Sequence, residues 1–495
     1  MFPGNWLIRL LWAAVLTAAV AYWFRKEWRY ERQVALTGCT ARSDGKRSTE
    51  VWLSPLFFPL LLLCYWLLTM VLTGPGAARA LLVRISLELV VLLSLFFGAL
   101  LLLLPLLRRR ISARACATLW LLPVFLYYSL YLMTHSYQPP LVVLRIPPVL
   151  AALLPWVWGT GCAGVLAWHL ISHLHFRHAL LRDARPVEDP AVTALWQEEQ
   201  RLALRKRPLP LLTSPAVSSP LTVGLLPGAM RTLLPERAYT PEQYRLIFRH
   251  ELRHVQRGDV DTKCFYALCM ALCWFNPLVW LALRRAAADL ELSCDEMVLW
   301  GAEDRTRREY ASLLLETAGD GRGLTTCLSA SAHSLRYRLR QVVQPRRRTS
   351  GTAVVALVMA ALVLSFGLVG VSTSYGSMEE VLLAPYGTLS ADYVRVSTGE
   401  RSMELEDPSP AAGRALLDYL SALPVTRLTV GVEDLGSDGP GLRMFLSDFG
   451  LDLRLTDGYC SLTPLGGASR THPPVLCRVD GPVDWEQLYA LASGG

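Results

Sequence analysis

Apolar residues gather in long runs near 6–24, 52–73, 81–107, 115–134, 147–172 and 352–373. Each run is long enough, as a helix, to cross a bilayer. The first has the position of a signal peptide. It has no convincing small-residue cleavage site, however, and Arg25-Lys26 follows it, so an uncleaved helix is expected. Between the fifth and sixth runs, polar and apolar positions alternate at shorter range. Leu221–Leu225 and Met230–Leu234 flank Pro227-Gly228 and predict a β-hairpin. At roughly 100° per residue, Tyr244, Phe248, Leu252 and Val255 make one apolar stripe, the mark of an amphipathic helix. Thr240-Pro241-Glu242-Gln243 starts that helix with a cap, a first-turn proline and a capping-box glutamine, and Gly258 ends it. Further helices are expected over 286–299, 303–316 and 335–343. After residue 375 strands (393–396, 427–432, 451–455) mix with helices (410–422, 484–492), as in a small α+β domain.

A seventh apolar run, 264–283, is broken near its middle by Asn276-Pro277. Two short helices forming an elbow are expected there. Either the elbow dips into a membrane or it is a buried hairpin in a soluble core.

Composition agrees with a membrane protein. Hydrophobic residues make up 52% and charged ones 18%, below the ordinary share of about 25% charged. Arginine and lysine cluster at 25–32, 108–114, 177–185 and 346–348. All four clusters fall on one side of the membrane if the N-terminus is outside, and that side is then cytoplasmic. The expected parts are a two-helix extension (1–75), a three-span region (76–178), a cytoplasmic domain (179–349), a last span (350–375) and an extracytoplasmic domain (376–495). The segment 179–350 is basic and the tail acidic. No helix-turn-helix, zinc-finger or RNA-binding signature accompanies the basic segment, so no direct nucleic acid binding is expected. Of eleven cysteines, Cys264, Cys269 and Cys273 sit at helical spacing in the seventh run as small hydrophobes. Cys294 is expected to be reduced. Cys460 and Cys477 are the only two in the tail and are expected to form a disulfide.

The chemistry lies at 249–259, RHELRHVQRGD. His250 and His254 are one turn apart on the amphipathic helix, away from its apolar stripe. They can grip one Zn²⁺, with Glu251 between them as the base for a water molecule. A catalytic zinc wants a third protein ligand and an open position. Glu291, in ELSCD on the next helix, is the candidate metal ligand. Asp295, one turn on, would accept a proton from a ligand histidine and set its tautomer. The plain alternative for Glu291 and Asp295 is an acidic helix face, and Glu296 is the nearest competing carboxylate. A complete crossing by 264–283 would put His250 and Glu291 on opposite sides of the membrane, so the elbow must return.

HELRH, then WFNPLVW (274–280), then ELSCD, in a chain with several spans, resembles the BlaR/MecR-type membrane zinc metallopeptidases, a family of antirepressor signal transducers. The resemblance covers about 80 to 375. It implies a gluzincin-like site with one Zn²⁺ per chain on His250, His254 and Glu291, and Glu251 as catalytic base. It also implies a protein or peptide substrate, a transcriptional repressor or the chain itself among them. The chain departs from the family at both ends. Five spans, rather than three, precede the protease domain. The tail cannot carry the S-x-x-K chemistry of a penicillin-binding sensor, because the last lysine is Lys263.

The expected fold is therefore a multi-span α-helical membrane protein with an inserted α+β gluzincin-like zinc metalloprotease domain and a small α+β extracytoplasmic C-terminal domain. Two functions fit it. One is an integral-membrane zinc-dependent endopeptidase, working at the lipid bilayer on a cytoplasmic or membrane-proximal protein in transmembrane signalling. The other is a non-enzymatic transmembrane receptor that uses the zinc fold only to transmit an outer signal. An intact Glu251 favours the first, since a transmitter has no need of a general base.

Overall fold

A computed structural model describes residues 3–37, 54–127, 140–203, 208–226, 228–318, 332–344, 348–365, 368–428, 439–446, 450–465 and 474–493. The chain opens with helices α1 (Pro3–Thr37), α2 (Phe57–Thr73), α3 (Pro75–Leu107) and α4 (Ala113–Leu121). Gly74, with φ 93°, and Pro75 at the first helical position break the apolar stretch into α2 and α3. The Trp66 indole donates to Ala78 O at 2.9 Å and holds the two helices together. Ile85–Leu107, within α3, is the one stretch among the described residues that is long and apolar enough to cross a membrane as a single helix. Shorter apolar helices cover Phe57–Leu72, Ala113–Tyr127 and Thr352–Leu364. The expected fourth run extends past 127 and there lies outside the described residues.

Strand β1 (Val142–Arg145) and helix α5 (Pro148–Leu181) lead into a mixed domain. It holds β2 (Arg185–Pro186), α6 (Pro190–Leu202), β3 (Leu211–Thr213), β4 (Leu221–Val223) and β5 (Arg231–Leu234), followed by α7 (Pro241–Arg257). Its sheet has the order β2-β3-β5-β4, so β4 is an edge. The β4–β5 hairpin is as expected. At Gly224 (φ 128°) a Cβ would lie 2.5 Å from the Ala229 carbonyl oxygen, so only glycine fits the turn. The apolar stripe of α7 enters a core of Trp196, Leu209, Leu234, Phe248, Leu252 and Val255.

Next come α8 (Asp259–Leu272) and α9 (Pro277–Val298), which form the expected elbow, then α10 (Asp304–Ala318) and α11 (Ala332–Val343). α9 starts at Pro277, well before the expected 286, because Asn276 caps it and nothing breaks the helix between the elbow and ELSCD. The elbow shares one apolar core with the long helices. Leu93 and Phe97 of α3, Trp120 of α4, Phe265 and Tyr266 of α8, and Val279 and Leu283 of α9 are all buried in it. Below this core Arg108 meets the fully buried Asp289 at 2.5 Å, and the Trp120 indole donates to the same carboxylate at 2.7 Å. Removing one partner of such a pair costs about 3–5 kcal/mol.

Helix α12 (Thr352–Leu364) lies along α1 and leads to strand β6 (Val369–Ser372). The sixth apolar run is thus helix over its first thirteen residues only. Its Val-Gly-Val-Ser end, with two β-branched residues, pairs in parallel with β1. The tail adds β7 (Tyr375–Ser377), β8 (Ala391–Ser397), β9 (Ser402–Glu406), α13 (Pro410–Ala422), β10 (Pro424–Leu428), β11 (Gly441–Leu446), β12 (Leu451–Thr456), β13 (Tyr459–Pro464), β14 (Val475–Val479) and α14 (Trp485–Ser493). Its strands form one antiparallel sheet of order β7-β10-β14-β13-β12-β11-β8-β9. Leu442, Met444 and Leu446 alternate inward on β11 and meet Leu416 and Leu420 of α13 and Leu488 of α14. Cys460 and Cys477 face each other in register on β13 and β14, both buried. They are free thiols here, not the expected disulfide.

Candidate metal centre

The capping box at the start of α7 is complete. Gln243 N donates to Thr240 Oγ1 at 3.2 Å and Thr240 N to Gln243 Oε1 at 3.0 Å. At the other end Gly258 takes a left-handed conformation (φ 70°), stops the helix and starts α8 at once. The reversal brings Asp259 back beneath the last turn. There the His254 Nδ1–H donates to Asp259 Oδ2 at 2.5 Å. Arg257, itself buried, holds that carboxylate from the other side and also reaches Ser293 Oγ and Leu290 O.

His250 is fixed by a different set. Its Nδ1–H donates to the Tyr310 hydroxyl at 2.9 Å, and Tyr310 passes a hydrogen to Asp295 Oδ1 at 2.6 Å. The direct Nδ1–Asp295 separation is 3.4 Å. Arg338 of α11 grips both Asp295 oxygens, at 2.6 and 2.7 Å. Asp295 thus supports His250 as the sequence suggests, but chiefly through Tyr310.

With both Nδ1 atoms occupied, both Nε2 atoms turn inward. They stand 3.0 Å apart. Glu291 Oε2 lies 3.5 Å from His250 Nε2 and 3.3 Å from His254 Nε2. A tetrahedral zinc with bonds of about 2.0–2.1 Å has ligand-to-ligand edges of roughly 3.3 Å. The three atoms therefore fit one face of that tetrahedron. The buried Cys294 thiol is a competing donor, within 4.8 Å of both ring nitrogens. It is already engaged with His250 O at 3.7 Å, and the Glu291 triangle is tighter. Glu296 plays no part, since it accepts from Ala113 N at 2.7 Å at the start of α4.

The pocket favours positive charge at its centre. Burial works against a charged His254, but Cys294, Glu291 and Asp259 around it raise its pKa well above the usual value. Burial likewise opposes ionised Glu291, yet His254, His250 and Lys263 hold it well below the carboxylate range. Asp295 is held low, against burial, by Arg338 and His250. Asp259 is held low, against burial, by Arg257 and His254. A divalent cation would displace the His254 proton and meet two imidazoles already turned by Asp259 and Tyr310, beside an ionised carboxylate.

Glu251 faces the sheet. Thr222 of the edge strand β4 donates to Glu251 Oε2 at 2.8 Å, with Thr232 Oγ1 at 3.1 Å behind it. Of the residues singled out from sequence, His250, His254 and Glu291 converge, Glu251 lies beside them and Asp295 behind. Asp259, Tyr310, Arg338 and Thr222 were missed. Only Asp259 carried a local signal, as the acid just past the glycine that ends the histidine helix.

Residues 139–342 match a family model described as BlaR1 peptidase M56. Over 184 residues the chain is 26% identical to the regulatory protein BlaR1 of Bacillus licheniformis. That match takes in 37% of this chain and 30% of the relative's length.

Proposed function

We propose that this BlaR/MecR-type family member, which carries its BlaR1-type peptidase domain over 139–342, is an integral-membrane zinc endopeptidase acting in transmembrane signalling. The observation that carries this reading is the triangle of His250 Nε2, His254 Nε2 and Glu291 Oε2, with edges of 3.0, 3.3 and 3.5 Å, beside an oriented Glu251. Zinc bound there supplies Lewis acidity to the scissile carbonyl and to water. Glu251, held by Thr222, takes the proton from the attacking water and returns it to the leaving amine. Asp259 and the Tyr310–Asp295–Arg338 chain keep the imidazoles turned inward. Strand β4 lies at the sheet edge next to Glu251, which suits an extended substrate backbone added as a further strand.

The substrate is a cytoplasmic or membrane-proximal protein. In this reading the N-terminus is outside, the peptidase domain faces the cytoplasm, and the tail lies outside as a small sensing domain. The pairing of β1 with β6 supports it, because the link between α4 and α5 then sits at the same end as the tail. Comparing protein N-termini in cells that carry wild-type or Glu251→Gln chains tests the function. Fragments that vanish in the variant support an endopeptidase. Identical fragment sets with the signalling response kept would leave a non-enzymatic receptor.

A further inference from the structure

The elbow tip is built like a turn that has no water to rely on. Its backbone groups are tied off inside the protein. The Trp158 indole of α5 donates to Leu272 O at 2.8 Å, and the Trp280 indole to Trp274 O at 3.0 Å. Asn276 N donates to Cys273 O at 2.9 Å, Asn276 Oδ1 accepts from Leu278 N at 3.0 Å, and Pro277 has no N–H to satisfy. The Asn276 amide then donates to Ser94 Oγ at 2.8 Å, and Ser94 to Val90 O at 2.6 Å. The Trp274 indole N–H is the exception. Its ring packs against Gly161 of α5, where a Cβ would lie 2.3 Å away. Small residues of this kind let helices approach closely inside membranes. In water such a tip would be polar. Here Phe275, Leu278 and Leu281 stand 53%, 51% and 44% exposed, and 264–283 holds no charged residue.

The depth of the tip follows from its partners. Ser94 lies two residues from the centre of Ile85–Leu107, the stretch able to cross a bilayer. From Ser94 to Arg108 is about 21 Å of helix, and from Asn276 to Asp289 about 20 Å. Ser94 bonds Asn276 and Arg108 bonds Asp289, so α3 and α9 run side by side in one register. The hydrocarbon half-thickness is about 15 Å. Exposed Arg284 and Arg285, roughly 12–14 Å below the tip, then fall at its inner edge, where arginine heads reach phosphates. Glu291, about 22 Å below the tip, falls about 7 Å beyond that edge, in the outer part of the headgroup layer.

The geometry points to a re-entrant elbow: residues 264–283 enter the bilayer to its mid-plane, acyl chains cover Phe275, Leu278 and Leu281, and the metal centre sits within the headgroup layer. The consequence for substrate rests on the protease reading. Peptide bonds lying at the membrane surface are within reach, and a folded soluble protein must offer an extended segment there. The depth itself does not rest on catalysis.

Photolabelling the full chain in nanodiscs of phosphatidylcholine and phosphatidylglycerol tests it. One set of discs carries a phosphatidylcholine with a diazirine at mid-chain, the other with a diazirine on the headgroup. Mass spectrometry maps the labelled residues. The mid-chain probe should mark Phe275, Leu278 and Leu281 as strongly as the exposed Leu95 at the middle of α3, and the headgroup probe should lose those sites and mark the stretch around Arg284. Mid-chain label on Leu95 with none on 274–281 would overturn the inference, as would headgroup label at Phe275. Glu251→Gln protein should give the same map, so a failed protease assay and a failed depth assignment are told apart.

Discussion

Tyr310→Phe removes one oxygen atom and isolates one link of the site. It deletes the 2.6 Å bond to Asp295 and the acceptor for His250 Nδ1 at 2.9 Å. Asp295 keeps both Arg338 bonds, so no buried charge is left without a partner. His250 can still reach Asp295 directly if the present 3.4 Å closes to hydrogen-bond length, a shift of roughly 0.5 Å. Loss of an outer partner of a ligand histidine costs about 10–100-fold in metal affinity, and the available rescue puts this variant near 10-fold, about 1.4 kcal/mol. Competition against a fluorescent zinc chelator reads the affinity, with far-UV circular dichroism to check the fold. A folded Tyr310→Phe protein that binds zinc as tightly as wild type would refute the idea that Tyr310 orients His250.

Asp259→Asn should weaken zinc nearer 100-fold, because the His254 contact is direct. An effect smaller than that of Tyr310→Phe in the same titration would reverse the ranking. The folded-state pKa values of Asp259 and Asp295 are depressed, so the unfolded chain takes up protons first as pH falls. The stability these carboxylates contribute is intact above about pH 4 and is lost as pH drops through the folded values. Thermal unfolding in chelator should therefore fall more gently with acid for Asp295→Asn than for wild type, and parallel curves would rule this out. Reporters fused after 375 should read as external and those near 190 and 320 as cytoplasmic. Disagreement between 190 and 320 would mean that the elbow crosses, and then His254 and Glu291 could not share a metal.

The helix of His250, the hairpin, the elbow and the tail helix over 410–422 were legible because each is set by local chemistry. Caps, a turn glycine, Asn-Pro and a period of 3.6 or 2 act within a few residues. Glu291 was legible because ELSCD follows the histidine motif a short way downstream, on the helix that returns from the elbow. Tyr310 and Arg338 were not, since they come from α10 and α11 and only tertiary packing brings them to Asp295. Thr222 was hidden because the hairpin pattern fixes which strands pair but not which residue faces Glu251. β6 was missed for a different reason: Val369–Ser372 continues an apolar run, and its partner β1 lies more than two hundred residues upstream. Propensity favours neither state there, and the pairing decides.

The central claim is a zinc centre on His250, His254 and Glu291 with Glu251 as base. Metal content of the purified full chain tests it most directly, across wild type, Glu251→Gln, Glu291→Ala and Cys294→Ser. The account predicts about one zinc per chain in wild type, Glu251→Gln and Cys294→Ser, and a marked loss in Glu291→Ala. Zinc kept by Glu291→Ala and lost by Cys294→Ser would contradict it.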